Sequence, residues 1–352
     1  MRILFVSYPM LPVSDASCGG AEQMLWTLER ELARRGHKTA VAACEHSRVA
    51  GELIVTGEAP TRSDAFDFRA AEHSRRVICA VREREFDLVH DKSGFFWRHA
   101  KEIDVPVLAT LHLPRSFYPE ELFESVPENL QFNCVSESQA QQFAKVPGMS
   151  GVVPNGIAIE RFPYEPNKSD YVLWLGRICP EKAPHLAMDA AERAGVRLVM
   201  AGQVYPFSWH REYFDKEVKP RLERAREMVH WVGTPAFEEK VSLLAKARAV
   251  LLPSLAPETS SLVAMEAMAC GTPVIAFPRG ALPEIVQHGM TGYLVEDFRE
   301  MAERIGDVNR LWPEEARSIA VGNFSAEIMA NAYEAIYQEI ASEAHKEKEL
   351  AA

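Results

Sequence analysis

Short apolar, β-branched segments alternate with longer amphipathic ones along most of this chain, and the alternation runs through twice. The first series predicts strands at 3–7, 39–43, 88–90, 107–111 and 132–136, with helices at 20–35 and 67–84. A strand followed by a helix and another strand cannot close as a hairpin, so this rhythm requires parallel sheets covered by helices on both faces. After Val152-Val153-Pro154-Asn155-Gly156, whose turn chemistry stands out, a stretch rich in Pro, Asn, Lys and Ser over 162–170 reads as a linker. The second series places strands at 171–175, 197–201, 230–232, 249–252 and 274–277, and helices at 185–194, 211–225 and 238–247. Two doubly wound α/β halves hold ligands at the carboxyl ends of their strands, in a crevice between them.

Composition narrows the class. The 352 residues suffice for two domains, and 47% hydrophobic with 25% charged residues is ordinary for a globular protein. A net charge of −11 argues against a nucleic-acid partner. The basic clusters Arg75-Arg76 and Arg82 to Arg84 are interrupted by acids and read as solvated helix faces, with membrane docking as the alternative. The apolar run in Met1-Arg2-Ile3-Leu4-Phe5-Val6 is too short for a signal peptide and no apolar span of about 20 residues occurs, so a cytoplasmic location is expected. Six cysteines without C-x-x-C pairing read as reduced thiols, neither a disulfide framework nor a zinc site. Cys18, beside Gly19-Gly20, is a candidate for the cleft lining.

One segment carries the chemistry. Glu258-Thr259-Ser260-Ser261-Leu262-Val263-Ala264-Met265-Glu266 runs into Ala267-Met268-Ala269-Cys270-Gly271-Thr272-Pro273 and an apolar strand. Hydroxyl residues open a helix there, placing Glu258 ahead of its N-terminus and Glu266 inside it. Helix N–H groups and the dipole suit a phosphate, and an ionised carboxylate can accept from two vicinal hydroxyls. Phosphate with hydroxyl-rich groups on either side describes a nucleotide sugar. In Gly176-Arg177-Ile178-Cys179-Pro180-Glu181-Lys182, two cations in one strand-to-helix loop can neutralise a diphosphate, Arg bidentately and Lys as a point charge. No Asp-x-Asp occurs, so no metal or other cofactor is expected. Gly19-Gly20 lets backbone approach a ligand at a helix start. His112 stands where an apolar strand meets a Pro-containing loop, and Ser136 is placed to cap a helix.

Glu258 to Glu266 with the following EAMACGTPVIAF resembles the donor-binding signature of the retaining family-4 glycosyltransferases. The resemblance implies the GT-B fold: two Rossmann-like domains facing across a cleft, 1–163 and 164–321, with a C-terminal helix over 322–345 crossing back to the first. Ile328, Met329, Ala332, Tyr333, Ile336, Tyr337 and Ile340 supply that helix's apolar spacing. It further implies that Arg177 and Lys182 hold the diphosphate of a UDP-sugar without metal, that Glu258 takes the sugar hydroxyls and Glu266 those of the ribose, and that His112 contacts the transferred sugar. The same resemblance implies Gly19 and Gly20 under the diphosphate or next to the acceptor, Gly202 and Val232 by the base and ribose, and the N–H groups of Ser260, Ser261 and Leu262 facing the phosphates. Where the family commonly has an aromatic residue and a glycine after the first Glu, this chain has Thr259-Ser260-Ser261, so the φ angle at Ser261 becomes a point to inspect.

The activity implied is retaining transfer of a hexose to an acceptor hydroxyl that the sequence does not name. No carboxylate is a clear nucleophile, and the resemblance implies a front-face route in which the leaving phosphate itself takes the acceptor proton. A nucleotide-sugar epimerase and a non-catalytic nucleotide-sugar-binding subunit are the competing readings.

Overall fold

The computed structural model describes residues 1–17, 19–58 and 66–351, without the side chains of 66 and 344–351; Cys18 lies outside the described residues. The chain divides into two compact units, Met1–Gly156 completed by the segment from Ala326, and Ile157–Ser325.

In the first unit seven strands form one parallel sheet: β1 (Arg2–Val6), β2 (Lys38–Ala43), β3 (Glu52–Val55), β4 (Leu88–Asp91), β5 (Val107–Thr110), β6 (Leu130–Cys134) and β7 (Met149–Val152). Their spatial order is β3-β2-β1-β4-β5-β6-β7. Ile3, Leu4, Phe5 and Val6 of the interior strand β1 are all fully buried, which is why that strand reads as a continuous apolar run without alternation. Helices α1 (Gly20–Arg34), α2 (Phe66–Glu83) and α3 (Glu137–Gln142) cover the sheet. Ser136 caps α3, its Oγ accepting from the Gln139 N–H at 3.2 Å.

The second unit has β8 (Tyr171–Leu175), β9 (Arg197–Ala201), β10 (Val229–Gly233), β11 (Ala249–Leu252), β12 (Val274–Ala276) and β13 (Gly292–Leu294), ordered β10-β9-β8-β11-β12-β13 and again parallel. Its helices are α4 (Pro184–Ala194), α5 (Ser208–Tyr213), α6 (Lys219–Arg224), α7 (Phe237–Lys246), α8 (Leu262–Ala269), α9 (Leu282–Ile285), α10 (Phe298–Asp307) and α11 (Pro313–Phe324). Trp174, Met188, Leu198, Met200, Ile275 and Met301 fill its core. The single helix expected over 211–225 is instead α5, a π-turn at Phe214–Val218, and α6. Pro220 has no N–H to give the carbonyl four residues back, and the wider turn accommodates that gap.

The last helix, α12 (Ala326–Ala351), belongs to the first unit. Met329, Ala330, Tyr333, Ile336, Tyr337 and Ile340 are its buried face, whereas Ile328, expected on that face, is exposed. Polar contacts fix its register. Buried His90 on β4 bonds the Tyr337 hydroxyl through Nδ1 at 2.6 Å and Thr110 Oγ1 through Nε2 at 2.7 Å. Glu334 meets Arg35 at 2.5 Å and His37 at 2.8 Å at the end of α1.

Burial drives the His73 imidazole down to about 4 and His90 well below its ordinary range, so both are neutral in the folded unit near neutral pH. The unfolded chain, titrating near 6.5, then binds more protons than the folded one below that pH. Stability is present in full above about pH 6.5 and is lost as pH falls, by up to about 1.4 kcal/mol per unit for each imidazole. Asp91, pushed up to about 6 by burial, acts in the opposite sense below pH 6 and offsets part of this loss. Thermal melts at pH 7.5 and pH 5 are expected to show the lower midpoint at pH 5, and His73→Gln to flatten that dependence.

Candidate functional site

The carboxyl ends of the second sheet gather most of the candidate residues. Three loops there are tied by backbone bonds: Gly176 N–H to Ala201 O (3.0 Å) and Ile178 N–H to Gln203 O (3.0 Å) join the loops after β8 and β9, and Leu255 N–H to Glu181 O (2.8 Å) joins those after β8 and β11. Gly202 has no freedom to be anything larger. Its φ is +141°, and a Cβ would come to 1.8 Å from the Gly176 carbonyl oxygen. Val232 falls at an irregularity of β10, where pairing passes from Trp231 opposite Met200 to Gly233 opposite Ala201. Such a bulge takes a residue out of the ladder and leaves its backbone groups unpaired there.

Lys182 precedes Ala183, which adopts the left-handed conformation (φ 44°, ψ 51°) without being glycine and caps α4 ahead of Pro184. Backbone strain of this kind is kept where the surroundings over-determine it. The Lys182 ammonium lies 2.6 and 2.7 Å from the two oxygens of Glu258, whose Oε1 also accepts from Ser254 Oγ at 2.5 Å. Arg177 is exposed, its guanidinium lying over the Tyr205 ring at 5.6 Å. The structure thus brings Lys182 and Glu258 into one ion pair, with Arg177 on the same loop as the lysine.

Glu258 stands four residues before α8, and its backbone runs against Gly280 (φ +61°), where a Cβ would lie 2.2 Å from the Glu258 carbonyl oxygen. Ser261 is the N-cap of α8, with φ −134° and its Oγ accepting from Ala264 N–H at 3.4 Å. That φ is ordinary extended backbone, so serine replaces the family's glycine without strain. Ser260 Oγ is buried without a hydrogen-bond partner among the described residues. Leu262 opens the helix, whose first N–H groups have no intrahelical acceptors. Glu266, inside the helix and 3% exposed, is paired with Lys240 of α7 at 2.7 Å.

Three candidates lie in the first unit. Gly19 is the N-cap of α1 and Gly20 its first residue. A Cβ at Gly19 would strike the Glu22 carboxylate at 1.8 Å, so the glycine makes room for a buried acid whose pKa burial raises. His112 follows β5 with Nε2 buried, and desolvation together with the nearby Lys92 ammonium holds its imidazole well below the usual range. A neutral imidazole can both donate and accept toward a hydroxyl.

Lys240, Ser254, Gly280 and Glu22 are the residues that sequence reasoning did not select. Only Glu22 carried a local signal, through its place after the paired glycines; the others become visible once the strands are side by side.

Residues 169–309 match the family described as Glycosyl transferases group 1, and 18–161 the family Glycosyltransferase Family 4. Glycogen synthase of Mycobacterium tuberculosis (strain H37Rv) is 30% identical over 83% of this chain and 81% of its own length. Lipopolysaccharide 1,2-N-acetylglucosaminetransferase of Salmonella typhimurium is 24% identical over 78% of each. Among solved structures, sucrose-phosphate synthase from Thermosynechococcus elongatus superposes with a TM-score of 0.81 at 20% identity, covering 97% of this chain and 99% of that one. Anabaena HepE in complex with UDP-glucose superposes with a TM-score of 0.73 at 21% identity, over 98% and 100%. These likenesses show the fold.

The Gly280 contact is with backbone, which cannot swing aside. Gly280→Ala is expected to cost about 2 kcal/mol or more and to lower the melting temperature by about 5 °C or more. Gly306→Ala, with nothing within 4 Å of its added Cβ and a helical setting in α10, should leave the midpoint unchanged or slightly raised. Scanning calorimetry of the two variants is the check.

Proposed function

Because the chain belongs to the glycosyl transferases of group 1 and family 4, enzymes of the GT-B type, we propose that it moves a hexose from a uridine diphosphate sugar to an acceptor hydroxyl, with retention of anomeric configuration and no metal ion in the chemistry. The Lys182–Glu258 pair at the head of α8 carries this reading. One partner is a cation suited to phosphate oxygens and the other a carboxylate suited to vicinal hydroxyls, so a single pair spans the two ends of a diphosphate–sugar linkage. Without ligand, each satisfies the other.

On binding, Arg177 and Lys182 take the diphosphate, supported by the open N–H groups of Ser260, Ser261 and Leu262. Glu258 turns to the sugar hydroxyls and Glu266, held by Lys240, to those of the ribose. Gly202 and the bulged backbone at Val232 accept the base and ribose; the UDP-glucose held by Anabaena HepE supports uridine. Gly19, Gly20 and the neutral His112 are assigned to the diphosphate, the acceptor and the transferred sugar. The acceptor oxygen attacks the anomeric carbon on the face that the diphosphate leaves. Its proton passes to a leaving phosphate oxygen while Arg177 and Lys182 stabilise the charge that develops.

Removing either cation deletes a stabiliser of the leaving group, so Arg177→Ala and Lys182→Ala should each lower turnover by about 10²-fold or more. Release of UDP from UDP-hexoses, measured with a coupled assay, is the readout; near-wild-type turnover in both variants would remove the assignment. Turnover should also survive chelator and gain nothing from added Mn²⁺. Proton NMR of the first product formed is expected to show the donor's anomeric configuration; the opposite anomer excludes retention, and conversion of one nucleotide sugar into another identifies an epimerase instead.

A further inference from the structure

We propose that Cys179, Glu181 and His210 form a binding site for a thiophilic divalent cation of the zinc type. Cys179 and Glu181 lie on the loop between β8 and α4, and His210 on α5. One ligand atom of each, a sulfur, a carboxylate oxygen and a ring nitrogen, lies within 4.8 Å of the others. Ligands around a tetrahedral zinc ion, bonded at about 2.0–2.3 Å, are separated by roughly 3.5 Å, so side-chain adjustment of about an ångström closes the set.

A second observation points to a ligand. His210 is 3% exposed, and its Nδ1 is buried with no hydrogen-bond partner among the described residues, an arrangement folded proteins avoid. The thiol of Cys179 donates to the Arg177 carbonyl oxygen at 3.5 Å and lies beside the Glu181 carboxylate, but that leaves the imidazole unanswered. A cation answers all three. The rings of Phe207 and Trp209 stand edge-on to the imidazole at 5.3 Å, which fixes its plane and keeps water from it, while Glu181 is exposed and marks the way in.

The donor set selects the metal. Sulfur and imidazole nitrogen favour zinc, whereas Mg²⁺ and Ca²⁺ seek oxygen. Binding converts the thiol to a thiolate and releases one proton to solvent; the thiolate and carboxylate then balance the two positive charges. Three protein ligands leave one position for water. The bound ion ties the loop carrying Arg177 and Lys182 to α5, and it draws the Glu181 charge away from neighbouring Arg177. It stands outside the bond-making steps, and binding is a claim independent of the transferase reading.

Chelator-stripped full-length protein titrated with Zn²⁺ against a chromophoric chelator is expected to take up one equivalent at micromolar or lower concentration. Substituted with Co²⁺, it should show a thiolate-to-cobalt charge-transfer band. Cys179→Ser and His210→Gln should weaken binding by about 100-fold or more and the serine variant should abolish the band, while Cys79→Ser, at an exposed thiol in the first unit, should bind as wild type. If either core variant melts early without metal, Glu181→Gln, at an exposed position, decides by the same loss. No stoichiometric uptake, or Cys179 and Glu181 variants that bind as wild type, overturns the site.

Discussion

A parallel sheet sends every strand out toward a helix at the same edge, and in the second unit that edge collects Arg177 and Lys182 after β8, Gly202 after β9, Val232 at the end of β10, Glu258 after β11 and Gly280 after β12. Residues up to about a hundred positions apart meet because pairing geometry puts their loops side by side. The hydrogen bonds among those loops then turn proximity into fixed distances. Placing a lysine on one loop and a carboxylate on another makes the Lys182–Glu258 contact report on the register of the sheet beneath it.

Charge sets the next constraint. Glu266 is nearly buried and would be costly to keep ionised without Lys240, so α7 and α8 are bound to each other through a group that the proposed chemistry also uses. Glu258 is less enclosed and answers to two partners, Lys182 and Ser254. The two acids of the motif thus differ in kind: one is held in a dry helix contact, the other in an exchangeable pair. Backbone closeness at Gly280 fixes the chain at Glu258, while Ser261, at an unstrained φ, leaves the helix entrance tolerant of side-chain change.

Much of the architecture was legible because its carriers are local. Apolar runs at β1, β5 and β11 and the amphipathic periods of α1 and α7 announce themselves, and the parallel α/β class follows from their order. Strands β3, β7 and β13 escaped notice: they are short, two contain glycine, and all three lie at the ends of their sheets, where one side lacks a partner and the apolar demand is weaker. The candidate site divides in the same way. Glu258, Glu266, Arg177 and Lys182 stand in recognisable local settings, but Ser254, Lys240 and Gly280 matter through what lies opposite them in space. His210 belongs with these; thirty-one residues beyond Cys179, it has no spacing that marks it as that residue's neighbour.

The return of α12 to the first unit bears on the order in which this protein can fold during synthesis. The second unit is one continuous stretch and can complete its sheet once Ser325 has left the ribosome. The first begins earlier yet must wait, because Tyr333 and Tyr337, which close over His90 and Thr110, are made only after the whole of the second unit. The usual sequence, in which the amino-terminal domain folds first, is inverted. Until α12 has been made, the parallel sheet of the first unit stands with one helix of its cover missing, so the earlier-made of the two units is the later to be completed.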